Sequence, residues 1–283
     1  MVKIDNIGNF DLAQTLDCGQ AFRWREQPDG SFAGVAMGKK LTLTMSGSTL
    51  QIDGIDESEY SSVWADYFDL NRDYGEIGKT LSKIHPVLRE AFEYAPGIRI
   101  LEQEPWEALC SFIISQNNNI PRIKLIIDRL CEAFGSQIEE NCYSFPSAEK
   151  LASLSVEELA PIKAGFRARY ILDAATKVSS GEIDLNALKT APLDEVRSTL
   201  MTITGVGPKV ADCTMLYGLH RLESFPLDVW MKRAMTTLFP ELTPSDFGEY
   251  GGIAQQYIFY FIRGGGGLHP RAGCTRGQIA HEL

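Results

Sequence analysis

The chain has 283 residues, 44% of them hydrophobic, enough to bury one large core or two modest ones, and its glycine, proline and charge content is that of an ordinary globular protein. No apolar run approaches the roughly 18 residues of a membrane helix. The opening MVKIDNIGNFDLAQ lacks the continuous apolar stretch of a secretory signal, so a cytoplasmic protein with no membrane partner is expected. A formal net charge of −10 argues against wrapping a long nucleic-acid tract by charge alone, while leaving room for one local basic patch.

Short runs punctuated by Gly, Ser and Asp open the chain: SFAGVAMG, KKLTLTMSG and TLQID. Leu41, Leu43 and Met45 alternate with Thr42 and Thr44, which suits a half-buried antiparallel strand. Helical character begins near ESEYSSVWADYF and dominates from about residue 98. Pro105 is placed as a first-turn residue, with Trp106, Leu109, Phe112 and Ile113 following at helical spacing. After the polar stop SQNNN, Ile120, Ile123, Ile127, Leu130 and Phe134 share the face of a second helix. Further helices are predicted over 147–153, 155–160, 167–179, 193–202, 208–218, 228–238 and 245–262. The reading is α+β: an N-terminal antiparallel β domain over 1–97 and a helical domain over 98–263. Residues 264–283, opening on four glycines, read as a flexible tail for which a cloning remnant is as good an account as native sequence.

Cys18, Cys110, Cys131, Cys142, Cys213 and Cys274 form no CxxC pair, and four of them lie among apolar neighbours, the pattern of free thiols rather than of a zinc ribbon or disulfide framework.

The most informative segment is LMTITGVGPKVADC. A helix ends near Thr202, Gly205-Val206-Gly207 makes a tight turn, and Pro208 starts the next helix. Such a helix-hairpin-helix brings backbone N–H groups and a helix dipole to an anion without basic side chains. An ordinary glycine turn between packed helices has the same spacing. Lys209 in the first helical turn sits where an ammonium is disfavoured and a free amine favoured. A free amine there can act as a nucleophile; a lysine pointing into water is the plainer account. Asp228, in SFPLDVW, is placed either to cap the next helix or to stabilise a developing positive charge. Ionised beside Lys209, it would favour the ammonium and oppose the dipole.

GVGPKVADC followed by FPLDVW resembles the helix-hairpin-helix glycosylase superfamily, in its branch with a catalytic lysine. CGQAFRWRE (18–26), SFIISQNNNIPRI (111–123), GFRARY (165–170) and YGGIAQQYIF (250–259) narrow the resemblance to the 8-oxoguanine DNA glycosylase/AP lyases over roughly residues 10–262. It implies a TATA-binding-protein-like β domain before the helical one, and duplex DNA containing 8-oxoguanine as the partner of a monomeric enzyme. Lys209 would be the nucleophile and Asp228 its acidic partner. The Gly19 carbonyl would accept N7–H, which guanine lacks. Cys213 and Phe259 would stack on the flipped base, and Gln255 would read its Watson–Crick edge. Asn117, Arg122 and Arg167 would hold the estranged cytosine, Phe166 would wedge into the gap, and Gly205 and Gly207 would face a phosphate. Arg122, Lys124, Arg129, Lys163, Arg167 and Arg169 could supply the basic patch. Two departures are visible: Phe166 stands where many relatives carry tyrosine, and Trp230 where a phosphate-contacting histidine is familiar. The carbonyls of Met201, Ile203 and Val206 resemble a site for a monovalent or calcium ion. No cofactor is required, and with no four-cysteine cluster after the helical part, no iron–sulfur cluster is expected. A glycosylase for another damaged purine and a non-catalytic DNA-binding module are the competing readings.

Overall fold

The computed structural model describes residues 1–266. Most of the expected tail, and Cys274 within it, lie outside the described residues.

Five strands form one antiparallel sheet in the order β1-β5-β4-β3-β2: β1 (Val2–Ile4), β2 (Trp24–Glu26), β3 (Phe32–Ala36), β4 (Lys39–Ser46) and β5 (Thr49–Asp53). The alternation in β4 settles its register. Leu41 and Leu43 are buried and pair with Gly34 and Phe32 on one side, while Leu43 also faces Ile52 on the other. β1 and β2 were not legible in the sequence, because three-residue edge strands are too short to show a period. The apolar face of the sheet is covered by α1 (Leu12–Leu16) and by a helical stretch made of α2 (Glu57–Glu59), a π-helical turn (Tyr60–Trp64) and α3 (Ala65–Tyr67). Trp24, Trp64, Tyr67 and Phe68 pack there edge to face or tilted, and the Trp24 indole donates to the Tyr67 hydroxyl at 3.0 Å.

The helical half comprises α4 (Tyr74–Leu81), α5 (Pro86–Tyr94), α6 (Pro105–Ser115), α7 (Ile120–Phe134), the small hairpin β6 (Gln137–Glu139) and β7 (Cys142–Tyr143), α8 (Ala148–Ala152), α9 (Arg167–Ser179), α10 (Leu185–Leu188), α11 (Leu193–Leu200), α12 (Pro208–Tyr217), α13 (Val229–Leu238) and α14 (Gly251–Arg263). α6 is buried almost all round and forms the axis of the bundle. Among the described residues, no helix is long and apolar enough to cross a membrane. The five described cysteines are buried free thiols, as the sequence suggested.

Three features differ from the sequence reading. The two cores do not divide at residue 97: Tyr74, Ile77, Leu81, Leu88 and Ala91 belong to the helical core, so α4 and α5 leave the sheet half well before that point. No α-helix covers 155–160. Ser155 and Glu158 exchange backbone and side-chain hydrogen bonds at 2.8 and 3.2 Å to close a turn, and Pro161 follows in a 3-10 turn, Ala160–Ile162. The helix expected over 245–262 is two elements, a 3-10 segment Pro244–Tyr250 that is itself kinked at Gly248 with φ +63°, and α14, which starts at Gly251.

Residues 17–20 join the halves. Gln20 is wholly buried; its amide donates to the carbonyls of Thr15 and Arg99 at 2.8 Å each and accepts from Leu101 N–H at 2.9 Å. Gln103 donates in turn to the Gln20 carbonyl at 2.8 Å. Arg99, 4% exposed, donates to the carbonyls of Gly8, Asn9, Asp69 and Arg72. Gln20→Leu fills the same space but leaves the Arg99 carbonyl and the Leu101 N–H unpaired and the Thr15 carbonyl with the Cys18 thiol alone, and it is expected to cost about 3 kcal/mol or more of unfolding free energy, read by urea denaturation.

Candidate active site

The hairpin between α11 and α12 sets the site. Gly205 has φ +79°, and a Cβ there would lie 2.3 Å from the Tyr170 ring, so neither conformation nor space admits a side chain. Asp173 accepts from Thr204 N–H at 2.6 Å, and Lys177 donates to the Thr202 carbonyl at 2.5 Å, which pins the turn to α9. Gly207 is the N-cap of α12 and offers no side-chain acceptor, so the first N–H groups of that helix stay open to an incoming anion. The Met201 and Val206 carbonyls accept no hydrogen bond from a described residue, and the Ile203 carbonyl accepts one, from Val206 N–H at 3.0 Å. Acceptor capacity for a hard cation therefore remains there, and the donor set fits such an ion.

Lys209 lies in the first turn of α12, half-buried. Its Nζ is 3.2 Å from Ser115 Oγ and 5.3 Å from the centroid of the Phe112 ring. Ser115 donates its own hydroxyl proton to the Phe112 carbonyl at 2.7 Å, so the oxygen turns a lone pair to the amine. The last turn of α6 thus holds the lysine. Cys213 follows one turn later on α12, 4% exposed. Burial pushes its thiol up to about 11, although the Lys209 charge pulls the other way and Asp212 and Asp228 add to the rise. It remains a neutral thiol at physiological pH. Asp228 is the N-cap of α13, its carboxylate accepting from Met231 N–H at 2.7 Å. Capping and a place within electrostatic range of Cys213 coexist in one residue.

Gly19 arrives from the sheet half with φ +91°. Its carbonyl accepts no hydrogen bond from a described residue. Gln256, buried on α14, fixes this loop by donating to the Cys18 carbonyl at 3.3 Å, while Tyr217 donates to the side-chain carbonyls of both Gln256 and Gln255. Phe259 comes within 3.7 Å of where a Gly19 Cβ would lie. Gly19, Gln255 and Phe259 are therefore held around one loop by residues that carry no obvious chemistry.

Residues expected to face the second strand lie in the loop before α7, on α7 and at the start of α9. Phe166 is 51% exposed for so large an apolar ring. Asn117 and Arg122 are exposed, Asn117 with φ +49°. Arg167 is turned inward, 5% exposed, donating to the carbonyls of Gln116, Asn117 and Ala164 and stacking 4.4 Å from the Phe166 ring. It braces the Asn117 loop rather than projecting from it. Lys124 is likewise committed, to Asp17 at 2.8 Å, so the basic patch is smaller than the sequence suggested. Trp230 is half-buried beside Val229, which is 82% exposed.

Residues 3–109 match the 8-oxoguanine DNA glycosylase N-terminal domain, and residues 110–245 match the HhH-GPD superfamily of base excision DNA repair proteins. A structure of MBOgg1 with a low-affinity DNA ligand shares 48% identity, covering 91% of this chain and 93% of that one at a TM-score of 0.87. The chain belongs to the 8-oxoguanine DNA glycosylase family. The 8-oxoguanine glycosylase/lyase of Clostridium acetobutylicum, solved with double-stranded DNA containing cytosine opposite 8-oxoG, shares 39% identity over 92% of this chain and 94% of that one, TM-score 0.87. The N-glycosylase/DNA lyase of Saccharomyces cerevisiae is 43% identical over 48% of this chain and 40% of the yeast protein.

Sequence reasoning missed the supporting members of this family site. Ser115 and Lys209 are 94 positions apart, and no local pattern links them. Gln256 and Tyr217 read as parts of apolar helices.

Ser115→Ala should leave substrate affinity unchanged and lower single-turnover base excision about tenfold or more, since the amine loses its anchor; Ser115→Thr should retain most of the rate. An unchanged rate in Ser115→Ala would remove the positioning role. Cys213 should resist iodoacetamide at pH 7.5, as peptide mass spectrometry would report, because it is buried and carries little thiolate there.

Proposed function

We propose that this protein excises 8-oxoguanine paired with cytosine from duplex DNA and then cleaves the strand through a lysine Schiff base. The observation that carries the reading is Lys209, at the uncapped start of α12, anchored to Ser115 Oγ at 3.2 Å with Cys213 one turn away. The family, and relatives such as the Clostridium acetobutylicum 8-oxoguanine glycosylase/lyase, supply the lesion.

In this reading the Lys209 amine attacks C1′ of the extruded nucleotide as the bond to N9 breaks. The electron pair leaves with the purine, which takes up a proton. Nitrogen loses a proton, the sugar ring opens to the iminium, and removal of a C2′ proton expels the 3′ phosphate. Asp228 stabilises the oxocarbenium-like charge at the sugar. Gly19 accepts N7–H through a carbonyl that has no other partner among the described residues. The buried amide of Gln255 meets the Watson–Crick edge, with the neutral Cys213 thiol and the Phe259 ring on either face.

Asn117 and Arg122, with the loop that Arg167 braces, face the cytosine, and exposed Phe166 fills the gap in the stack. Gly205 and Gly207 present N–H groups to a phosphate, which suits a chain of net charge −10. Trp230 and the exposed Val229 make an apolar contact to the lesion strand. We further propose a monovalent or calcium ion on the carbonyls of Met201, Ile203 and Val206, stiffening the hairpin and adding positive charge toward that phosphate. No obligatory cofactor enters the reaction. Buried free thiols support a reducing, cytoplasmic location.

Borohydride should trap a covalent protein–DNA adduct on a duplex with one 8-oxoguanine opposite cytosine and not on the undamaged duplex. Lys209→Gln should bind the lesion, form no adduct, and release base slower by orders of magnitude. Normal excision by that variant would overturn the nucleophile assignment.

A further inference from the structure

Arg263, in the last turn of α14, has no role in the mechanism above. Its Nη1 lies 3.8 Å from where a Gly19 Cβ would be, beside Phe259 Cε1 at 3.7 Å, and its Cζ sits 5.3 Å from the centroid of the Phe259 ring. The guanidinium therefore shares one small volume with the loop and the ring read as lesion contacts. It is half-buried, yet it makes no hydrogen bond or ion pair with any described residue. Arg129 on α7 is likewise half-buried without a described partner, whereas four other sheltered arginines are engaged. Arg99 donates to four backbone carbonyls, Arg167 to three, Arg221 to a carboxylate and a carbonyl, and Arg23 to Glu107 and the Tyr143 carbonyl. A guanidinium carries five N–H donors in a planar fork, and here, beside Gly19 and Phe259, they meet no acceptor among the described residues. A cation at a helix C-terminus has a stabilising effect of its own. That effect accounts for a positive charge at this position, and not for a fork stacked on Phe259 beside Gly19.

We propose that Arg263 is a lesion-recognition residue: its guanidinium, oriented by stacking on Phe259, donates to an oxygen acceptor of the extruded 8-oxoguanosine nucleotide. Two oxygens have this chemistry, the C8 carbonyl, which guanine lacks, and the phosphate flanking the extruded sugar. The inference rests on the reading of Gly19 and Phe259 as lesion contacts. A donor to the C8 carbonyl would complement the Gly19 carbonyl, one group reading O8 and the other N7–H, so that both features distinguishing the lesion from guanine are met.

The test uses the full chain carrying Lys209→Gln, which holds the substrate unprocessed, with and without Arg263→Met or Arg263→Lys. Fluorescence anisotropy gives affinities for duplexes with 8-oxoguanine, a tetrahydrofuran abasic site or guanine opposite cytosine. Arg263→Met is expected to weaken binding of the 8-oxoguanine duplex about tenfold or more, as for loss of a charge-assisted hydrogen bond. A loss confined to that duplex identifies the C8 carbonyl. An equal loss on the abasic duplex, with a log K against log salt slope shallower by about 1, identifies the phosphate. Arg263→Lys keeps the charge at the helix end and is the arm that survives if Arg263→Met unfolds. It should match the parent in thermal unfolding and bind the 8-oxoguanine duplex at least about threefold more weakly, for lack of the fork. Unchanged affinity for both damaged duplexes in a folded Arg263→Met variant, or parental affinity in Arg263→Lys, overturns the proposal. A parent that does not prefer 8-oxoguanine to guanine overturns the reading of the pocket itself.

Discussion

The site depends on one buried amide. Gln20 is one of the buried points at which the sheet half and the helical half share hydrogen bonds, and it stands next to Gly19, whose backbone carbonyl accepts no hydrogen bond from a described residue. A carbonyl can discriminate N7–H from a lone pair only if its position is fixed, because a peptide free to rotate would accommodate either. Gln20 from beneath, Gln256 from α14 and the positive φ of Gly19 remove that freedom. The polar groups concerned are buried, so each unmade bond would be costly, and the network forms as a unit.

The second constraint is the start of α12. Gly207 leaves the helix without a side-chain cap, an arrangement poor for isolated stability and suited to receiving a phosphate. Lys209 at the same end is held by the Ser115 oxygen and lies over the face of Phe112. Those two groups lie on α6, a helix buried almost all round, so the Lys209 amine is referenced to the centre of the protein rather than to the hairpin alone. Asp228 at the start of α13 is the N-cap of that helix, its carboxylate oriented by the bond it accepts from Met231 N–H.

The acidity of the chain finds its place in the same geometry. Backbone N–H groups at the hairpin supply anion affinity without changing net charge, and two of the basic side chains that the sequence offered for DNA are used internally, Lys124 on Asp17 and Arg167 on the carbonyls of the asparagine loop. Phe166 rests against that braced arginine and keeps its outer face in solvent.

By itself, the sequence determined the α+β order, the alternation of β4, the hairpin and the positions of Lys209 and Asp228. Each of these is written in a local signal: a period of two or 3.6, a glycine turn followed by proline, an aspartate ahead of an apolar run. The short edge strands, the allegiance of α4 and α5 to the helical core, and the kink at Gly248 had no such signal and followed from packing. Tertiary structure alone decided what surrounds the reactive groups. Ser115 meets Lys209 across 94 positions, Gln256 meets Cys18 across 238, and Arg263 meets Gly19 from the far end of the described chain. Contacts so distant in sequence leave no periodicity or spacing to read, because the packing of α6 against α12 makes the first and the meeting of the two halves makes the others.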